Sequence, residues 1–139
     1  ISHIGSTAVK NISAKPIVDI LLEAPAALDL ETLNTVLCRN GYLCMSKSKD
    51  RISLNKGYTE DGYAEKVFHI HLRVKGDNDE LYFRDFLNDY PEIAKRYEAL
   101  KLELSEKFRY DRDAYTQAKS DFVTDVTRKA KNLYGKKYD

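Results

Sequence analysis

The run Ile17-Val18-Asp19-Ile20-Leu21-Leu22 constrains this chain more than any other stretch, because it is apolar except for one acid. A continuous apolar run of this length is the signature of a central strand covered on both faces. A carboxylate in such a strand costs several kcal/mol unless it is paired, bound to metal or placed at the strand end. Asp19 is therefore either neutralised by neighbours or kept for chemistry. Thirteen residues earlier, Gly5-Ser6 lies within His3-Ile4-Gly5-Ser6-Thr7-Ala8-Val9. A glycine lets the backbone approach a ligand, successive N–H groups in a turn bind phosphate oxygens, and the Ser6 hydroxyl adds a donor. The pair of features outlines a phosphoryl- or nucleotidyl-transfer site. An acid at position 21 would complete a D-x-D pair for two-metal chemistry, which needs several shared carboxylates, and the residue there is Leu21.

The rest of the pattern predicts a mixed α/β (α+β) domain. Ile1-Ser2-His3-Ile4 reads as the end of a strand, so an upstream segment is expected. After Pro25, Asp29 is a helix N-cap candidate for residues 29 to 37, closed by Asn40-Gly41. Tyr42-Met45, Arg51-Leu54 and Lys66-Val74 read as strands, with Asp61-Gly62 as a turn. Helices follow over about Asp79-Leu87, from Pro91 with the stripe Ile93, Tyr97, Leu100 and Leu104, and from a cap at Asp111 or Asp113. The last helix carries the expected stripe Tyr115, Ala118, Phe122, Val126 and Leu133, ending at Gly135. The 139 residues suit one domain, read over 1–139, with a mixed sheet packed on one face by helices.

Charge excludes some partners. With 23 Lys and Arg against 22 Asp and Glu, the net charge of +1 provides no footprint for duplex nucleic acid or an anionic membrane. No apolar run is long enough for a membrane span, and the reading is a soluble cytoplasmic protein. Cys38 and Cys44 lack metal-ligand spacing and read as two buried reduced thiols.

His69 and His71 are the strongest independent chemical signal. In Phe68-His69-Ile70-His71-Leu72-Arg73-Val74 the apolar residues take one face and His69, His71 and Arg73 the other. With Asp19 on a neighbouring strand they form a two-histidine, one-carboxylate set for a divalent cation, Mg²⁺, Mn²⁺ or Zn²⁺. The alternative is a polar groove with each imidazole hydrogen-bonded to an acid. Ser6, Lys15, Arg73, Arg84 and Lys119 would make an anion-binding cluster if the fold assembles them, and Tyr115, four residues before Lys119, adds a phenol to the same helix face as a further substrate-binding candidate.

The segments His3-Val9, Ala14-Ile20, Phe68-Leu72, Phe83-Glu92, Tyr97-Lys101 and Ala114-Lys119, taken in order, resemble the GrpB family across nearly the whole chain. The resemblance implies a nucleotidyltransferase-like fold, and an N-terminal segment ahead of the His-Ile-Gly-Ser motif. It also implies that the glycine-serine turn falls on Gly5 and Ser6 and the first metal carboxylate on Asp19. The second carboxylate then falls on Leu21 and the third in the His69-Ile70-His71 region, so both departures weaken the standard two-metal reaction. The leading expectation is a domain that binds a phosphorylated small molecule or nucleotide, with one metal if it is a transferase. Its rivals are a non-catalytic nucleotide- or anion-binding regulatory module and a transition-metal hydrolase built on Asp19, His69 and His71.

Overall fold

The computed structural model describes residues 1–139 apart from Tyr63 and Glu65. Along the chain lie β1 (Ser2–Ile4), a 3-10 turn (Ser6–Ala8), β2 (Ile17–Ala24), α1 (Leu30–Arg39), β3 (Leu43–Lys47), β4 (Arg51–Thr59) and β5 (Gly62–Val74). Three helices follow, α2 (Asp79–Asp89), α3 (Pro91–Lys107) and α4 (Arg112–Tyr134). This is the mixed α/β class expected from the pattern. The chain divides into two compact units: residues 1–8, 14–78 and 138, and residues 9–13, 79–137 and 139.

In the first unit the strand order is β1-β2-β5-β4-β3. β2 and β5 are parallel at the centre and the outer pairs are antiparallel. Alternation on β5 sorts the two faces as the sequence pattern requires. Ile70 and Leu72 join Ala24, Leu30, Ile52 and Leu54 in a buried core, against which Ile20, Leu22, Leu33 and Leu37 pack. The opposite face carries Asp19, His69 and His71 in register: Asp19 is paired with His69, and Leu21 with His71. Helix α1 starts where expected, because the Asp29 carboxylate accepts from the Glu31 amide at 3.1 Å.

Both strands of the β4–β5 hairpin run further than the pattern suggests, and the turn falls on Glu60-Asp61, one residue before the expected Asp61-Gly62. Cys38 and Cys44 are exposed thiols and not buried ones. Cys44 lies on β3, an edge strand whose residues are all exposed, and Cys38 in the last turn of α1.

In the second unit, Val9, Leu87, Ala94, Tyr97 and Val126 form the buried cluster, with Phe83, Phe86, Ile93 and Phe122 packed against it. Phe83 meets Tyr97 edge-on and Phe122 stacks on Tyr97. Pro91 occupies the first turn of α3. Asp111, rather than Asp113, caps α4 by accepting from the Ala114 amide at 3.0 Å. The buried stripe of α4 continues from Val126 to Ala130, and Leu133 is exposed. Four-residue steps from Val126 lead to Ala130 and Tyr134, which leaves Leu133 off the packed face.

Candidate functional site

Asp19 stands in the sheet centre with Ile4 on one side and His69 on the other. Its Oδ1 atom faces two imidazoles, with His71 Nε2 at 3.0 Å and His69 Nδ1 at 3.4 Å. Because a carboxylate only accepts, His71 donates its Nε2–H to Asp19. The 3.4 Å contact to His69 is longer than an ordinary hydrogen bond. The far nitrogen of His69, Nε2, lies 2.8 Å from the Tyr58 hydroxyl, and the two rings stack. The side chains of Asp19, His69 and His71 are 24, 25 and 28% exposed, so the group is open to a ligand and not sealed in the core.

The glycine turn is built against this carboxylate. Gly5 has φ +77°, and a Cβ there would lie 3.0 Å from both Asp19 Cβ and Cγ while colliding with Oδ2. Glycine is needed for the backbone conformation and for the approach to Asp19. Beyond it, the Ala8 amide donates to the Gly5 carbonyl at 3.0 Å, closing the 3-10 turn that contains Ser6. Thr7 donates its hydroxyl to the Ile17 carbonyl at 3.0 Å and so accepts from His3 Nε2 at 2.8 Å. These bonds tie the turn to the first residue of β2.

Of the remaining sequence-derived candidates, Lys15 and Arg73 belong to the first unit. Lys15 is exposed in the connection to β2, where its carbonyl accepts from the Ile17 amide. Arg73 shares the face of the histidines but is only 8% exposed, and its guanidinium lies 3.5 Å from Asp77. Arg51 also donates twice to Asp77, at 2.8 Å each, so both arginines brace the turn after β5. Arg84, Tyr115 and Lys119 belong to the second unit. There Arg84 pairs with Asp85 at 2.9 Å, and Lys119 sits 5.7 Å from the Tyr115 ring centre. Asp85 accepts from Lys137 as well.

The donor set fits a metal ion poorly. His71 turns a proton, and not a lone pair, toward the Asp19 oxygen. Among the described residues, no group of three or more His, Cys, Asp or Glu side chains is arranged to hold a metal. The residues that sequence reasoning missed are Tyr58, His3 and Thr7. His3 and Thr7 flank Gly5-Ser6, and their signal was their place in that motif. Tyr58 lies beyond the expected end of its strand, next to a glycine that would have marked the break.

The model of the GrpB protein family matches residues 1–129. The chain belongs to the GrpB family. Relatives include the glutamate-rich protein GrpB of Alkalihalophilus pseudofirmus, 36% identical over 131 residues, covering 91% of this chain and 75% of that protein. A UPF0157 protein of Deinococcus radiodurans is 35% identical over 130 residues, with 92% of this chain and 65% of the relative covered. The UPF0157 protein YqkA of Bacillus subtilis is 31% identical over 134 residues, and this chain spans only 38% of its length. The crystal structure of a conserved GrpB protein from Enterococcus faecalis superposes with a TM-score of 0.77 at 29% identity, over 96% of this chain and 80% of that one. This GrpB-family fold is thus a five-stranded mixed sheet with four helices. No helix among the described residues is long and apolar enough to cross a membrane.

Proposed function

We propose that this domain binds a phosphorylated small molecule, a nucleotide being the leading candidate, at the face formed by Gly5, Ser6, Asp19, His69 and His71. The observation that carries the reading is the meeting of two histidines on one oxygen of Asp19, 3.0 and 3.4 Å away, beside a glycine turn with no room for a side chain. The turn leaves backbone space and N–H groups for a phosphate oxygen, and the two imidazoles line the same face. If the domain is catalytic, the reaction is nucleotidyl or phosphoryl transfer, in which positioning and charge dominate. A divalent cation at Asp19, His69 and His71 would have to displace the contacts these residues make with one another and with Tyr58. The proton-bearing arrangement of the histidines supports a site that works through hydrogen bonds. The proposed setting is the cytoplasm.

Leu21 favours a second reading, a non-catalytic binding or regulatory module. It is fully buried, in register with His71, where the superfamily pattern would have an acid. Titrating ATP, GTP and CTP with and without Mg²⁺ or Mn²⁺ separates the two. Metal-dependent release of pyrophosphate supports a transferase, and metal-independent binding without product supports the module. If Asp19→Asn and His71→Ala both leave binding unchanged, the proposed face is wrong.

A further inference from the structure

Along β4, alternation puts Ile52, Leu54 and Lys56 on one face and Ser53 and Asn55 on the other. Asn55 pairs with His69 and Ser53 with His71, so the second face is that of the histidines. Two residues beyond Lys56, Tyr58 would by the same rule lie on the core face. Its hydroxyl nevertheless sits 2.8 Å from His69 Nε2. The register of the ladder shifts between Lys56 and Tyr58, at Gly57, whose φ is +109°. A Cβ on Gly57 would collide with the Lys66 carbonyl oxygen and come within 2.9 Å of Val67 Cα. Only glycine fits this break, and breaks of this kind re-aim side chains. Here the break delivers a phenol to the site.

Proton accounting gives the phenol its role. A lone pair on Nδ1 of His69 would face the Asp19 oxygen at 3.4 Å and be repelled by it, which favours the tautomer with the hydrogen on Nδ1. A neutral imidazole protonated on Nδ1 keeps its lone pair on Nε2, and the Tyr58 O–H donates into that lone pair. The ring is thereby held at both ends, with Tyr58 stacked on it at 5.9 Å between centroids and 27° between planes.

We propose that Tyr58 is a positioning residue of the site, one that fixes His69 in the Nδ1–H tautomer and occupies the only nitrogen lone pair with which His69 would bind a metal ion. The inference rests on the site described above and is independent of which ligand binds there. It departs from the metal-ligand set that the superfamily pattern implies, because His69 is committed to Asp19 on one side and Tyr58 on the other. Partners of this kind orient an imidazole and set its tautomer.

Tyr58→Phe removes the hydroxyl and keeps the ring, freeing Nε2. Calorimetric titration of the whole chain with ZnCl₂ is expected to show binding about tenfold tighter in Tyr58→Phe than in the native protein, the scale on which such partners tune metal affinity. The gain is expected to vanish in the Tyr58→Phe, His69→Ala double variant. No gain in Tyr58→Phe overturns the proposal, as does a tenfold loss of native zinc binding on His69→Ala alone. Independently of any variant, ¹H–¹⁵N spectra of the imidazoles, recorded above the histidine titration range, should place the His69 proton on Nδ1. Finding it on Nε2 overturns the proposal. A failed nucleotide titration leaves these outcomes untouched, so the two proposals fail separately.

Discussion

The Asp19 carboxylate occupies the space that a Cβ on Gly5 would need. The relationship joins the turn and the central strand into one unit, so each residue's identity depends on the other.

Gly5→Ala should therefore be costly even though it adds one methyl group. The left-handed backbone at φ +77° costs a side-chain-bearing residue about 1–2 kcal/mol, and the methyl must also displace the carboxylate. Urea denaturation should show a lower midpoint with an unchanged slope. A midpoint equal to that of the native chain would mean that the turn re-forms without glycine.

Leu21→Asp places an acid two residues after Asp19 at a position that is fully buried. The expected result is a loss of stability of about 3 kcal/mol or more, since a buried charge is introduced without a built partner. Guanidinium unfolding measures this directly. A stable variant that gains Mg²⁺ binding would show instead that the site tolerates a second carboxylate.

Leu87 anchors the buried cluster of the helical unit at 1% exposure. Leu87→Ala should cost about 2–5 kcal/mol through lost burial and the cavity it leaves. Thermal unfolding followed by circular dichroism tests this, and a shift smaller than the experimental error would place the packing centre elsewhere.

Glu98 gives the helical unit a pH dependence. The Ser13 amide, donated to its carboxylate, is the main cause that holds Glu98 below its ordinary value of 4.5, and Lys95 adds to the effect. A carboxylate whose folded pKa is lowered contributes stability above its unfolded pKa, and that contribution disappears as pH falls through the folded one. The difference in denaturation midpoint between the native chain and Glu98→Ala should thus be constant near neutrality. It should shrink once the pH drops below about 4.5, the unfolded reference. A difference that persists unchanged in strong acid would refute this.

The parts of the site that obey a simple period were legible in the sequence. Alternation along β5 put His69 and His71 on one face, and the lone acid in an apolar run marked Asp19 as a residue needing partners. Tyr58 was hidden because the register shift at Gly57 overrides alternation, and a one-dimensional pattern does not show which glycine breaks a ladder. An anion cluster inferred from charge does not show which cations also have acidic neighbours. Arg73 is held by Asp77 and Arg84 by Asp85. Extending the period into the last turn of α4 puts Leu133 in the buried stripe, whereas the structure leaves Leu133 exposed and gives that place to Tyr134, hydrogen-bonded to Asp89.

The helical unit borrows residues 9–13 from the start of the chain. Val9 enters its buried cluster, and the Lys10 amide donates to Asn88 at 2.9 Å. During synthesis this strap leaves the ribosome some seventy residues before the helices that receive it, so the helical core has to wait for its last members while its first is already made. A fragment starting at Asp79 lacks the strap altogether. The sheet and the helices are therefore distinct in packing but interleaved in sequence, and a single backbone cut cannot yield both as complete pieces.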